Sequence, residues 1–381
     1  MILRRLALAD FRSYASLAWE PASGLNLVVG ENGTGKTNLL EAIALCAGMR
    51  LRSLPRDVDM IRRGAVALRI VAVLGPDLAQ TGGVREIAVA LMGRSRRYLL
   101  DGSPVRSGTD GTPAVVAFTP DDLDIVKGGP DVRRQLLERD LGQLSIAYRD
   151  LMRRYGRALT QRNALLRAIA QDEARIEELY PWDEAVAQTG SAVQRWRREA
   201  IEALQPFVHD AYRKVSGGRG EMRFSYRPRL SLDASEAAGE EPGEGRLLGS
   251  LRSSRRAELA RGYTLVGPHR DDLGFELDGR DMRGYASQGE HRTAVVCVKM
   301  GLLERLWEVR RDRPILVLDD VLSELDAMRQ DRLLEAAKGY QTFVSSTVPT
   351  PGLEAHIVQT GGGRLRAWQE GEPREGLDPN P

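Results

Sequence analysis

Asn26-Leu-Val-Val-Gly-Glu-Asn-Gly-Thr-Gly-Lys-Thr-Asn-Leu-Leu-Glu-Ala-Ile43 is the stretch whose reading decides the fold of this chain. An apolar run leads into a glycine-rich turn, and the turn opens a helix-forming segment. Gly30, Gly35, Lys36 and Thr37 satisfy G-x-x-x-x-G-K-[ST], the phosphate-binding loop pattern. Gly30, Gly33 and Gly35 let successive backbone N–H groups turn inward, and the following helix adds its positive N-terminal end. Lys36 is predicted to reach the outer phosphates of a nucleotide, and the Thr37 hydroxyl to hold Mg²⁺. The plainer reading is a glycine-rich βα turn that binds nothing. The strand before and the helix after weigh against it, and so does the lysine. Lys36, Lys127, Lys214, Lys299 and Lys338 are the only lysines among 55 Lys and Arg residues. A compact ammonium at this position is therefore a specific choice.

A second apolar run, Arg313-Pro-Ile-Leu-Val-Leu-Asp-Asp320, ends in paired carboxylates. Such a run predicts a strand buried on both faces, as in a parallel sheet, whose carboxyl end is where ligands bind. Asp319 is predicted to hold Mg²⁺ through water opposite Thr37, and Asp320 to orient or polarise an attacking water. The plainer alternative is a strand followed by a helix cap, Asp320 or Ser323. Just before this strand lies Tyr285-Ala-Ser-Gln-Gly-Glu-His-Arg-Thr293. There Ser287, with Gly289 two residues later, opens a helix predicted over Glu290 to about Val309. Its hydroxyl and N–H groups can meet a phosphate, or serve as an ordinary N-cap.

The remaining chain divides by pattern. Residues 1–20 read as a strand feeding toward the loop strand, with no secretory leader. Strands are predicted at Leu68–Leu74 and Glu86–Met92, a hairpin at Tyr98–Pro104 around Asp101-Gly102, and a short run at Ala114–Phe118. From 131 to 216 the character is helical: Leu144, Tyr148, Leu151, Tyr155 and Ala158 follow helical spacing, and Pro181 separates this from a second pattern over Ala185–Val215. Two helices of about 40 residues predict an arm on the order of 50–60 Å. Arg149, Arg153, Arg154 and Arg157 share one side of the first helix, as a solvated flank or a DNA-facing stripe. Strands are predicted again at Tyr263–Val266 and Leu273–Leu277, with a turn at Asp278-Gly279. The acidic segment 231–245 reads as a mobile loop, and residues 368–381 as a flexible tail.

Composition narrows the class. Hydrophobic residues at 42% and charged residues at 28% describe a soluble globular protein. The net charge of +2 announces no nucleic-acid binder, so any basic surface is local. No apolar run approaches the roughly 20 residues of a membrane helix. Cys46 and Cys297 stand far apart, with no CxxC and no histidine cluster, which predicts reduced thiols in a cytoplasm and no zinc site.

Taken in order, Gly30…Lys36-Thr37, Ser287-Gln288-Gly289 and Leu318-Asp-Asp-Val-Leu-Ser-Glu-Leu-Asp326 resemble an ABC-type ATPase head. Further blocks narrow the likeness to the RecF family of bacterial DNA repair proteins. They are Asp10-Phe-Arg-Ser-Tyr14, Pro120-Asp-Asp-Leu-Asp-Ile-Val-Lys-Gly-Gly-Pro-Asp-Val-Arg-Arg134 and Gly267-Pro-His-Arg-Asp-Asp-Leu273. The resemblance covers nearly the whole chain. It implies an α/β fold: a P-loop ATPase head with mixed sheets and flanking helices, residues 1–130 and 217–367, and an inserted helical or coiled-coil domain at 131–216.

The same resemblance implies ATP and Mg²⁺ as cofactors, an ATP-dependent homodimer, and binding to gapped or junction DNA. It implies RecR- and RecO-type partners, no membrane, and a weak DNA-dependent ATPase serving recombination, replication and the SOS response. By position, Gly30, Glu31, Asn32, Gly33, Thr34, Gly35, Lys36, Thr37 and Asn38 are the phosphate cradle. Asp319 and Asp320 are the Walker B pair, and Ser287, Gln288 and Gly289 complete the partner's site in trans. Ser323, Glu324 and Asp326 belong to a dimer-facing loop, and Arg12 lies over adenine or phosphates. There are departures from the pattern. Asp10 stands where the family usually has asparagine, and Asp320 where most ABC ATPases have glutamate. Ser346 or Thr347, within Phe343-Val-Ser-Ser-Thr347, stands in for the switch histidine. A shorter carboxylate and no imidazole imply slow hydrolysis. The runner-up, a transporter nucleotide-binding subunit, needs far less chain between Lys36 and Asp319. A long-armed chromosome-organising ATPase needs far more helix, and a scaffold with a vestigial site is opposed by the intact motifs.

Overall fold

Leu25-Asn-Leu-Val-Val29 carries β-branched and aliphatic side chains on both faces, so it is stable only with both faces covered. A computed structural model of the chain describes residues 1–49, 51, 57–76, 83–108, 111–217, 220–229, 243–349 and 354–368. In it Leu25–Val29 (β3) lies inside a six-stranded sheet. Thr342–Ser346 (β13) pairs parallel to it on one side and His356–Gly361 (β14) on the other. Beyond β13 come Ile315–Asp319 (β12) and Val115–Phe118 (β8), both parallel. Arg364–Ala367 (β15) closes the far edge against β14, antiparallel. Every residue of β12 is buried, as its apolar run predicts.

A second six-stranded sheet, antiparallel, is formed by Ile2–Phe11 (β1), Tyr14–Trp19 (β2), Ala67–Gly75 (β4), Arg85–Met92 (β5), Ser95–Leu100 (β6) and Ser103–Val105 (β7). Residues 1–20 are thus a hairpin of this sheet and not a strand leading into β3. Arg12, at φ 51°, makes the turn. The loop helix Lys36–Cys46 is buried nearly all round, with Leu39, Leu40, Ile43 and Leu45 packed among side chains from both sheets. Such a helix has no solvent face, which is why it lacks an amphipathic pattern. Each of its fully buried leucines contributes roughly 1.5–3 kcal/mol.

These strands form one compact unit, Met1–Thr119 with Arg313–Asp326 and Ala337–Pro381. The other unit is Pro120–Asp312 with Ala327–Ala336, so residues 217–312 group with the helical stretch 131–216. The reason is close packing. Gly301, in helix Gln288–Arg310, lies so near helix Tyr180–Ser216 that a Cβ would meet the Val208 amide nitrogen at 2.8 Å. The first long helix, Ile146–Ala170, has 25 residues and the second 37, so the first falls short of the predicted 40. Pro181 sits in the first turn of the second helix, where its missing N–H costs nothing.

Charge-bearing side chains knit this unit. Arg162, fully buried, reaches Asp183 at 2.7 Å, Glu258 at 2.7 Å and Thr264 at 2.8 Å. Tyr263–Val266, predicted as a strand, is irregular. Thr264 gives its amide to the Asn163 side chain at 2.8 Å and not to a ladder. The real sheet of this unit has three strands, Met222–Arg227 (β9), Asp272–Leu277 (β10) and Arg280–Asp281 (β11). Two of the quoted blocks meet here, where Arg133 forks onto Asp272 at 2.5 and 3.0 Å. Of the acidic segment 231–245, residues 231–242 lie outside the described residues, and 243–245 begin the helix Gly243–Arg261. The tail from 369 onward also lies outside them. Among the described residues, no helix is long and apolar enough to cross a membrane.

Candidate nucleotide site

In a parallel sheet all strands deliver their following loops to one edge. At that edge β3 yields the loop Gly30–Gly35, β12 yields Asp319 and Asp320, and β13 yields Ser345 and Ser346. Gly33 and Gly35 have φ 84° and 108°, values that side chains resist. At Gly30 a Cβ would meet the Thr360 hydroxyl at 2.4 Å. Thr360 Oγ1 also lies 2.7 Å from Thr34 Oγ1, and the Thr34 hydroxyl reaches the Glu31 carbonyl at 2.8 Å. The crest, Glu31, Asn32 and Gly33, is exposed. Gly35 begins the loop helix with no side-chain cap and no acidic residue in the first turn, so its N–H groups suit an anion.

Lys36 is buried, and its ammonium donates to the carbonyls of Gly30 at 2.6 Å and Glu31 at 2.9 Å. Burial pulls its pKa below the usual lysine value, while Asp320 and Asp319 oppose the shift. Thr37 Oγ1 donates to Asp319 Oδ1 at 2.9 Å, and Ser345 Oγ donates to the same oxygen at 2.8 Å. Carboxylates only accept, so both hydroxyl protons point at Asp319, and the lone pairs of Thr37 are left for a cation. Asp320 has φ 56°, a left-handed conformation that aspartate tolerates better than most residues. Its amide donates to Ser345 Oγ at 2.8 Å, and its carbonyl accepts from Ser323 Oγ at 2.9 Å.

Other predicted residues are placed less directly. The Arg12 guanidinium pairs with Glu41, on the loop helix, at 2.5 Å. Asn38 donates to Ser13 Oγ at 3.0 Å, and Tyr14 OH donates to the Gly35 carbonyl at 3.1 Å. The hairpin turn therefore braces the loop. Asp10 has φ 50°, a conformation open to both asparagine and aspartate, so its departure from the family pattern is readily accommodated. Ser346 accepts the Gly30 amide on its carbonyl at 3.2 Å and spends its hydroxyl on Val348 at 2.7 Å, while Thr347 is exposed. Glu324 and Asp326 follow in the turn after Asp320.

In the other unit Ser287 is exposed as the N-cap of helix Gln288–Arg310. Its hydroxyl and amide both donate to Glu290 Oε2, at 2.7 and 2.6 Å, and these bonds hold that carboxyl below its usual range. Gln288 is exposed beside it, and a Cβ on Gly289 would meet Arg329 at 3.0 Å. Arg153, Arg154 and Arg157 are exposed on their helix. Both cysteines are buried and free, as the sequence predicts, and burial pushes Cys46 up to about 12.

Sequence reasoning missed Ser345, Thr360 and Glu41. Ser345 lies directly opposite Asp319 in the parallel register, so aligning the polar ends of the two runs points to it.

Comparison with known proteins fits this geometry. The chain is 40% identical over 359 residues to the DNA replication and repair protein RecF of Acidothermus cellulolyticus, covering 93% of this chain and 95% of that one. The chain belongs to the RecF family. Two solved structures of the recombination mediator protein RecF in the RecFOR pathway, RecF-ATPrS and RecF-ATP, match it with TM-scores of 0.86 and 0.84. Each is 26% identical, and they cover 97% and 96% of this chain and 98% and 97% of their own. An Smc head, bound to a domain of ScpA, is 15% identical with a TM-score of 0.53 over 97% of both chains, a likeness of fold. The AAA domain family matches residues 5–77. The fold is that of an ABC-type ATPase head, and RecF membership displaces the transporter-subunit alternative.

Proposed function

We propose that this RecF-family chain is an ATP-dependent, DNA-binding recombination mediator whose two copies close head to head on ATP. The observation that carries the reading is the convergence of Lys36, Thr37, Asp319 and Asp320 at one sheet edge, with Thr37 bonded to Asp319 at 2.9 Å. The RecF-ATP and RecF-ATPrS relatives support ATP as the ligand.

Gly30 to Asn38 wrap the phosphates with backbone N–H groups, and Lys36 exchanges its loop carbonyls for the outer phosphates. Thr37 and Asp319 would hold Mg²⁺, Asp319 through water, and the ion would supply positive charge to offset that of the phosphate oxygens. Asp320 orients the attacking water, and its short side chain makes turnover slow. Ser287, Gln288 and Gly289 offer a hydroxyl and N–H groups to the nucleotide of the second copy. Ser323, Glu324 and Asp326 face across the dimer, with Ser346 or Thr347 at the switch position. Arg149, Arg153, Arg154 and Arg157 contribute to DNA contact, and hydrolysis, stimulated by DNA, releases the dimer. Cytoplasmic gapped or junction DNA, with RecR- and RecO-type partners, is the setting.

The test is sedimentation and gapped-DNA binding with and without ATP. A shift from monomer to dimer and tighter DNA binding with ATP is expected. A sedimentation coefficient indifferent to ATP overturns the reading.

A further inference from the structure

We infer that Ser345 is a positioning residue of the ATPase site, tying the metal carboxylate Asp319 to the water-orienting carboxylate Asp320. The inference rests on the ATPase reading above. Ser345 is 1% exposed and stands at the end of β13, paired in register with Asp319. Its hydroxyl proton goes to Asp319 Oδ1 at 2.8 Å, because the carboxylate has no proton to give. Its lone pairs then accept the Asp320 amide at 2.8 Å. The result is a directed chain from amide to hydroxyl to carboxylate, each bond polarising the next.

Backbone strain at Asp320 acts in the same direction. Asp320 sits at φ 56°, in a region that persists only when its surroundings over-determine it. Two hydroxyls do so, Ser345 on its N–H and Ser323 on its C=O at 2.9 Å. That conformation sets the direction of the Asp320 side chain. Loss of the Ser345 hydroxyl therefore releases Asp320 and removes a donor that fixes Asp319. Lys36 and the glycine loop, which grip phosphate, keep their own bonds. Ser345 thus governs turnover more than nucleotide binding.

The experiment compares wild type with Ser345→Ala, Ser345→Thr and Thr342→Ala. Thr342 is the control: it is buried at the opposite end of β13, and its hydroxyl reaches Tyr340 at 3.1 Å. Expected for Ser345→Ala is a kcat for ATP at least tenfold lower, with KM within threefold. Ser345→Thr should recover kcat to within threefold of wild type. Thr342→Ala should lower Tm as much as Ser345→Ala while leaving kcat within twofold. If Ser345→Ala fails to fold, Ser345→Cys replaces it, since the thiol keeps the volume but donates weakly, and the same fall in kcat is expected. A Ser345 variant with wild-type kcat, a change confined to KM, no recovery by threonine, or an equal fall in kcat for Thr342→Ala each overturns the inference. A wild-type chain that does not hydrolyse ATP at all overturns the ATPase reading instead.

Discussion

Thr37 and Asp319 stand 282 residues apart in the chain, yet the hydroxyl of one donates to the carboxylate of the other at 2.9 Å. The bond spans two strands of one sheet, because β13 lies between β3 and β12. A hydroxyl held with its proton toward a carboxylate presents its lone pairs outward, and that is the arrangement a hard divalent cation needs.

Replacing Lys36 with Met should leave the fold intact and weaken ATP binding ten- to hundredfold. That is the loss of one charged hydrogen-bonding group, about 1.5–3 kcal/mol. Calorimetric titration with ATP and sedimentation of the variant check it; undiminished ATP-driven association would remove Lys36 from the phosphate site.

Asp320→Asn keeps the size of the side chain and tolerates the same left-handed backbone. Turnover should fall by roughly 10²- to 10⁴-fold, the usual worth of a positioned acid–base group. ATP-bound dimers should correspondingly persist. Phosphate release measured beside dimer lifetime gives the answer, and a wild-type rate assigns the water to another group.

Ser287→Arg should spare ATP binding by the monomer and abolish dimerisation, since a bulky cation then occupies the place of an exposed hydroxyl. Mixing it with Lys36→Met should restore part of the association, because one intact composite site can form. Sedimentation with a slowly hydrolysed ATP analogue reads this directly. Loss of activity without any change in oligomeric state would instead describe a self-contained site.

The two apolar runs that end in Gly30 and Asp319 were legible in the sequence because a parallel strand buried on both faces leaves an unbroken signature. The N-cap at Ser287 was legible for a similar local reason, a helix start with Glu290 three residues on. What escaped was of two kinds, a local polar turn and contacts with partners far away in the chain. The polar turn at Arg12-Ser13 reverses β1 into β2, which a run of alternating apolar residues does not reveal. Tyr263–Val266 looks like a strand by composition, but Asn163 and Arg162 draw Thr264 off the ladder. Ser345 and Ser346 are neighbours of the same type, and only the register with β12 separates them.

His269 gives the helical unit a predictable acid limb. Burial, with Arg270, Arg134 and Arg162 nearby, lowers its pKa from 6.5 to about 4, although the Thr264 carbonyl opposes the shift. The unfolded chain therefore binds the proton first, and stability falls as pH drops from about 6.5 to about 4. The loss reaches up to ~3 kcal/mol. His269→Gln should flatten this limb of the denaturation midpoint against pH. An unchanged slope would show that the ring titrates freely in the fold.

The position of β3 between β13 and β14 also governs how the protein can be made. During synthesis, Leu25–Val29 emerges more than 300 residues before either neighbour, so the nucleotide-loop strand waits with both edges and both apolar faces uncovered. Pairings of such sequence separation form slowly, and exposed strand edges recruit other chains. The antiparallel sheet, complete by Val105, can form first and shelter the loop helix. Premature termination anywhere before His356 should therefore yield a product that aggregates, however intact its loop sequence.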